Sequence, residues 1–195
     1  MTTLFTRPKL EIHFVLRYSD LLKERDTIAE HEKVLKRCGR VWMGKFGMGV
    51  SPALIEKTVA QIGDGVPTWV YLSHHKSITR RARLTHIVGG GSRAMIMVPC
   101  ASSTPRYYSK QACSVWFELA SIEKCSPAEI ASLRLYNDPS VPPLFTSMRG
   151  LFYVTKETPD ETSANATSGH RSRRIMHSPG VADYAIDSDF DDMVY

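Results

Sequence analysis

Aromatic side chains in this 195-residue chain recur beside lysines and arginines. Nucleobases stack on aromatic rings while Lys and Arg hold phosphates, so this mixture is typical of nucleic-acid pockets. Large rings on one face of a strand are equally typical of a hydrophobic core, and the pattern leaves both interpretations open. The residues concerned are Trp42, Lys45, Phe46, Trp69, Tyr71, Lys76, Arg80, Arg81, Arg83, Tyr107, Tyr108 and Lys110.

Residues 77–83 (SITRRAR) form the most basic segment of the chain. Three arginines within four residues cannot all be buried. We therefore expect Arg80, Arg81 and Arg83 to form an exposed basic rim.

Two adjacent histidines, His74 and His75, are the candidates for acid–base chemistry. They end an apolar strand, where neighbouring side chains point to opposite faces, so we expect them not to bind one metal together. A hydrolase or transferase using one of them with Asp64 is a hypothesis based on residue types alone. No Ser-His-Asp, H-E-x-x-H or G-x-S-x-G arrangement is present. The sequence therefore assigns no catalytic residue, metal or cofactor, and leaves an enzymatic activity undecided.

Residues 39–45 (GRVWMGK) match the start of a phosphate-binding loop, but Phe46 stands where that loop needs Ser or Thr. Such a loop follows a strand and opens a helix, whereas here a helical pattern precedes it and residues 41–43 read as a strand. We reject a nucleoside-triphosphate site. Lys45, at a strand end, can still contact a phosphate as a point charge.

The charge distribution favours a polyanionic partner for the first part of the chain. Residues 1–157 contain 22 Lys or Arg and 13 Asp or Glu, whereas residues 158–195 contain 3 and 7. The cysteines form no C-x-x-C pair, which indicates free thiols and a reducing, cytoplasmic location. No apolar run is long enough to span a membrane and no export signal is visible, so we expect neither insertion nor secretion. The cysteines are Cys38, Cys100, Cys113 and Cys125.

The segment from residue 158 to 195 is rich in Ser, Thr, Asn, Gly and Pro, and we predict that it is disordered. It contains a basic cluster at 170–174 and an acidic, aromatic end at 183–195. The acidic end would compete with nucleic acid for the basic domain, dock on a protein partner, or merely solubilise the chain.

Hydrophobic periodicity predicts the elements that must position these residues. Leu10, Ile12, Phe14 and Leu16 alternate as on a half-buried strand, and Gly39 reads as the C-cap of a helix over 20–38. The fold class is α+β, spanning residues 8–157: a small mixed sheet curled towards a barrel, with two or three flanking helices. Further strands are expected at 40–46, 68–72, 81–88, 94–98, 113–122 (the longest) and 151–154, and further helices at 51–61 and 126–133.

The order of the predicted elements resembles that of the PUA-like superfamily, especially its EVE and YTH branches. A strand, a helix and a Trp-containing strand are followed by a helix ending in Gly63-Asp64-Gly65 and then by WVYLS at 69–73. The segments FELASIEKCSP (117–127) and GLFYV (150–154) are similar to the closing strands of those domains. The resemblance implies a curled β-barrel that holds a modified or flipped base in an aromatic pocket, in RNA processing or bacterial restriction. It implies pocket roles for Trp42, Trp69 and Tyr71, phosphate contacts for Lys45 and Arg80–Arg83, and a rim contact for Arg149. We expect this chain to depart from the family in an extra N-terminal helix and in the absence of an appended nuclease or ATPase domain.

Two functional hypotheses lead. The first is a nucleic-acid-binding module without chemistry of its own, and the second is a regulatory protein that binds a protein partner through its acidic tail. The sequence leaves open the choice between DNA and RNA, the base that is recognised and the oligomeric state.

Overall fold

The computed structural model describes residues 10–20, 26–91, 94–143 and 150–157. The three helices in these residues are α1 (Thr27–Cys38), α2 (Pro52–Gly63) and α3 (Pro127–Ala131). The strands are β1 (His13–Arg17), β2 (Val41–Lys45), β3 (Thr68–His74), β4 (Ser77–Gly89), β5 (Ile96–Met97), β6 (Ala112–Cys113), β7 (Val115–Lys124), β8 (Leu133–Leu135) and β9 (Leu151–Lys156). The predicted α+β class is confirmed. The tail from residue 158, with its basic and acidic clusters, lies outside the described residues.

Seven of the strands form one mixed sheet in the order β2-β7-β4-β3-β1-β9-β8. The β1–β3 pair is parallel and the other pairs are antiparallel. Within the described residues the sheet is open, with β2 and β8 at its edges, so this mixed sheet does not close into a barrel. The apolar run expected as a strand at 94–98 contributes only β5, which pairs with β6 in a separate ribbon.

The first strand is buried on both faces rather than on one. Phe14 and Leu16 pack in the main core with α1 and α2, as their alternation predicts. His13 and Val15, on the opposite face, are also fully buried. The prediction that this strand is buried on one face only was wrong. β1 lies inside the sheet, and α3 and β8 cover its second face.

Helix α1 begins and ends at identifiable caps. The Asp26 side chain accepts a hydrogen bond from the Ala29 N–H at 3.0 Å, and Gly39 adopts φ +71° while its N–H bonds to the Leu35 carbonyl. Gly39 is the predicted C-cap. The helix starts at 27 rather than 20 because Asp20 and Asp26 both cap the turn at Thr27, where the Thr27 N–H donates to Asp20 at 2.8 Å.

Helix α2 follows Ser51-Pro52 as predicted, but its buried side chains are Thr58 and Gln61, whereas Val59 is 41% exposed. The Gln61 side-chain amide hydrogen-bonds to the backbone of Ile12, just before β1, as a neighbouring strand would. Its oxygen accepts from the Ile12 N–H at 2.8 Å and its nitrogen donates to the Ile12 carbonyl at 2.9 Å. The same nitrogen donates to Thr68 Oγ1 at 2.8 Å, so one side chain ties α2 to the starts of both β1 and β3.

The sheet face opposite α1 and α2 is covered in two places. Helix α3 and β8 cover a cluster that includes Val15, Tyr71 and Leu133. The chain from Val98 to Cys113 covers a second cluster around Trp42 and Trp116. The predicted longest strand, at 113–122, is ten residues long as β7, shorter than β4 at 13, because the basic segment 77–83 belongs to β4. The helix expected to reach 133 stops at Ala131, and Leu133 begins β8.

Among the described residues, no helix is long and apolar enough to cross a membrane.

Candidate nucleic-acid interface

A cavity of about 220 Å³ opens where the end of β1 meets the start of α1 and the end of β2; we call it the β1–α1 pocket. The turn at Tyr107-Tyr108 and the residue before β9, Gly150, complete its walls. Thr27 fixes the wall between β1 and α1, because its hydroxyl donates to the Ser19 carbonyl at 3.1 Å and its N–H donates to Asp20. This hydrogen bond lowers the pKa of the Asp20 carboxyl. The space suits one small planar group rather than a larger ligand.

Aromatic rings line the β1–α1 pocket. Phe46 is 41% exposed and meets Tyr108 edge-on, with ring centroids 5.8 Å apart. Tyr107 is half-buried and lies tilted against Tyr108 at 5.8 Å. Tyr18 stacks on the His74 ring, with centroids 4.8 Å apart and planes 9° from parallel. Phe46 therefore offers an exposed ring for stacking, while Tyr18, Tyr107 and Tyr108 form the walls around it.

Lys45 places a positive charge at the wall of this pocket. Its Nζ donates to the carbonyls of Phe46 at 2.7 Å and Met48 at 3.1 Å. An ammonium has three N–H donors, so one remains for a ligand beyond these two bonds. Partial burial lowers the Lys45 pKa. The position is fixed, because two carbonyls hold the ammonium.

Gly44 and Tyr108 hold the back of the pocket together. The Tyr108 hydroxyl donates to the Gly44 carbonyl, and burial raises the pKa of Tyr108. A Cβ on Gly44 would lie 2.6 Å from Cys113 Sγ and 2.8 Å from the Trp116 ring. Only glycine fits here without displacing packed side chains.

His31 lies at the buried base of the pocket. Its Nδ1 is 2.7 Å from the Thr27 carbonyl, which accepts, so Nδ1 carries the proton. Burial lowers the His31 pKa, and the ring is therefore neutral at pH 7. A neutral ring can hold the pocket's shape but adds no charge to attract an anion.

The three aromatic residues that the resemblance assigned to a pocket lie elsewhere. Tyr71 is fully buried and Trp42 is 4% exposed, so neither presents a ring face to solvent. Trp42 packs in the Trp116 cluster, whereas Trp69 and Tyr71 belong to the cluster beneath α3. Trp69 is half-buried, and the Arg81 guanidinium lies 4.0 Å from its ring centroid. Burial supports the core interpretation for Trp42 and Tyr71, whereas Trp69 lies at the edge of its cluster.

The predicted rim at 77–83 does not form a continuous basic surface. Arg80 points to the α1 side and pairs with Glu32 at 2.8 Å. Arg81 points the other way and pairs with Glu129 at 2.5 Å and Glu123 at 3.2 Å. Strand alternation separates these arginines, and acids from distant segments neutralise them. Arg83 lies 5.5 Å from the Trp69 ring, and Arg149 lies outside the described residues.

Glu129, on α3, organises the surroundings of Trp69 and Tyr71. Its Oε1 accepts from the Tyr71 hydroxyl at 2.9 Å and from Arg81, and lies 2.9 Å from Lys156 Nζ. Burial alone would raise the carboxyl pKa, but the hydrogen bonds from Lys156, Arg81 and Tyr71 outweigh it and hold the pKa at about 2. Glu129 is therefore ionised at neutral pH and fastens α3 to β3, β4 and β9.

The histidine pair does not behave as predicted. The rings of His74 and His75 lie side by side, with centroids 4.0 Å apart, rather than on opposite faces. The expectation was wrong because the strand ends at His74 and His75 begins the hairpin turn with φ +46°. Asp64 precedes β3 and His74 ends it, so the strand separates them by about 20 Å. No group of three metal-binding side chains occurs among the described residues.

Sequence reasoning did not select Tyr18, His31 or Gly150 for a site, and it noted Phe46 and Tyr107 only as part of the aromatic mixture. These residues come from five separate segments, so no fixed spacing could reveal them. The one local signal is the aromatic–basic sequence from Trp42 to Phe46, from which Lys45 was predicted. Lys45 is the predicted site residue that lines the β1–α1 pocket.

Comparison with known proteins finds one relationship. A sequence model described as Pua-like matches residues 14–157, which covers most of the chain and every strand described above except the first residue of β1. No curated protein and no solved structure shows a significant match. PUA-like domains generally bind RNA or other nucleic acids. On this match the chain belongs to the PUA-like family.

Proposed function

We propose that this PUA-like domain is a nucleic-acid-binding module that accepts one base in the β1–α1 pocket and performs no chemistry on it. The observation that carries the proposal is the coincidence, in one small cavity, of an aromatic lining that includes the exposed Phe46 ring with a fixed lysine. Stacking on Phe46 would hold the base, and the third N–H of Lys45 would bind its edge or a neighbouring phosphate. The four free thiols fit a reducing cytoplasm as the setting.

The pocket also favours an extruded or single-stranded base over a base inside a duplex. A ring can reach a small, walled cavity only after it leaves the stack. Close walls make the fit sensitive to an added group, so we propose that the pocket distinguishes a modified base from its plain counterpart. RNA processing and bacterial restriction are the settings in which such a reader would act.

Fluorescence anisotropy with single-stranded and duplex DNA and RNA, modified and unmodified, tests this proposal. Lys45→Met keeps the side-chain length and removes the charge, and Phe46→Ala removes a stacking ring. We expect both variants to lose affinity and to lose any preference among bases. Stacking contributes about 1–3 kcal/mol per base, so Phe46→Ala should weaken binding roughly five- to 150-fold.

Lys110→Met is the matched control, because Lys110 is exposed and does not line the pocket. It makes the same change of charge close to the turn at Tyr107-Tyr108. If Lys45→Met and Lys110→Met lowered affinity equally, and neither changed base preference, the pocket would not be the base site. If the wild-type chain bound no nucleic acid even at low salt, the proposed function would be wrong.

A further inference from the structure

A second cavity, of about 380 Å³, lies next to the β1–α1 pocket and is bounded by the same two elements, helix α1 and the turn at 105–109. We call it the outer groove. Thr27 and His31 of α1 face the pocket, while Lys33 and Arg37, further along the helix, face the outer groove. The turn contributes Tyr107 to the pocket and Arg106 to the groove. The pocket and the outer groove therefore share α1 and this turn as walls.

The outer groove is basic. Three cationic side chains line it, Lys33, Arg37 and Arg106, against one acidic side chain, Glu30. Lys33 pairs with Glu30 at 2.6 Å, but its side chain is 71% exposed. Exposed pairs of this kind on a helix contribute little to stability, so Lys33 can exchange this partner for a phosphate. Lys33 and Arg37 are four residues apart and so share one helix face.

The arginines differ in how freely they can bind. Arg37 donates to the Ser102 carbonyl at 3.1 Å and so braces the wall of the groove. Among the described residues, Arg106 makes no side-chain hydrogen bond or ion pair, and it is exposed. A guanidinium presents donors in a planar fork that matches two phosphate oxygens. Arg106 is therefore the residue best placed to bind an anion.

The three hydroxyl groups of the groove all have partners within the same segment, and Ser102 Oγ lies 3.2 Å from Cys100 Sγ. Thr104 Oγ1 donates to the Cys100 carbonyl at 2.8 Å, and Ser109 Oγ donates to the Arg106 carbonyl at 3.0 Å. Neither can donate to a ligand without breaking a bond that shapes the segment. Recognition in this groove thus falls to the cations, which bind charge rather than a base edge.

We propose that the outer groove binds the backbone phosphates of a single strand whose base enters the β1–α1 pocket, with Arg106 as the principal contact. This inference rests on the proposed function and adds a second part to the site. The pocket determines which base is preferred, and the outer groove supplies affinity independent of sequence.

The test compares Arg106→Gln and Arg37→Gln with Lys110→Gln in the intact chain. Lys110 is exposed, lies in the same segment as Arg106 and does not line the groove. Anisotropy is measured with a single-stranded oligonucleotide over a salt series. Each lost phosphate contact lowers the magnitude of the slope of log K against log salt concentration by about 0.7 for a single strand. We expect this change, with an unaltered base preference, for Arg106→Gln and not for Lys110→Gln.

The outcomes separate the two proposals. If the wild type binds and Lys45→Met abolishes base preference, the proposed function stands. If Arg106→Gln then has the same salt slope as Lys110→Gln, the outer groove is not a phosphate site. If the wild type shows no salt-dependent binding, both proposals fail. Arg37→Gln also removes the bond to Ser102, so thermal unfolding of each variant shows whether lost binding reflects lost structure. Arg106 makes no such bond, and its result decides the question.

Discussion

Replacing Glu129 with glutamine should destabilise the domain by about 2 kcal/mol at neutral pH. The lowering of the Glu129 pKa from 4.5 to about 2 corresponds to about 3 kcal/mol favouring the ionised form in the native state. The carboxylate is 15% exposed, but its partner Lys156 is 33% exposed and partly screened by water, so we reduce the figure. The glutamine amide oxygen can still accept a hydrogen bond from the Tyr71 hydroxyl, so the lost stability comes mainly from removal of the negative charge.

The pH dependence follows from the direction of this shift. A carboxyl whose pKa falls on folding stabilises the native state above its unfolded pKa, and that contribution disappears as the pH falls through the folded value. The wild-type advantage over Glu129→Gln should therefore be complete above about pH 5 and should shrink between pH 4.5 and about 2.

Urea unfolding followed by tryptophan fluorescence measures the free energy of unfolding across this pH range. Thermal unfolding at pH 7 should show a fall in Tm of about 4–8 °C. Glu157→Gln is the control, because Glu157 makes one pair with Arg134 at 2.6 Å and is 43% exposed. We expect that variant to lose less than about 1 kcal/mol. Equal stability of the two variants, or a difference that does not change with pH, would refute the account of Glu129.

Two further substitutions test the packing and the helix attachment. Gly44→Ala should lower the free energy of unfolding in urea by about 1–3 kcal/mol, because its Cβ would overlap Cys113 and Trp116. Gly63→Ala is the control and should not destabilise the domain, because a Cβ there would meet open space. Equal stability of the two variants would contradict the packing argument for Gly44. Gln61→Leu should lower the free energy of unfolding by about 1–3 kcal/mol, because the buried Ile12 N–H would lose its acceptor. Gln111→Leu is the control: Gln111 is exposed, and the change should be less than about 0.5 kcal/mol. An unaltered free energy of unfolding in Gln61→Leu would show that α2 is held by apolar packing alone.

The elements that could be predicted from sequence are those with local signals. Gly39 ends α1 in the left-handed conformation that glycine favours, and Ser126-Pro127 opens α3. Alternation correctly placed Trp69 and Tyr71 on one face of β3. It could not show that α3 covers that face, because coverage depends on a segment nearly sixty residues later in the chain.

The basic segment of β4 shows why charge alone misplaced the rim. Arg80 and Arg81 are adjacent, yet they pair with Glu32 and Glu129, which come from opposite ends of the domain. A sequence displays three arginines but not the acids that folding brings to them. Lys45, predicted as a phosphate contact at a strand end, lines the β1–α1 pocket, and its role stays a prediction. Tyr18 and His31 join the same pocket only through tertiary structure.

The position of β1 has a consequence for how the chain folds during synthesis. Phe14 pairs with Val70 of β3 on one side and with Tyr153 of β9 on the other, so nearly the whole domain separates β1 from its second neighbour. While the ribosome is still making β9, β1 presents an unpaired and strongly apolar edge. Such long-range pairing slows folding, and the exposed edge is a site for aggregation or chaperone binding. We expect chains that stop before Leu151 to be recovered mainly as aggregates, because release before the last strand leaves β1 as an unpaired edge.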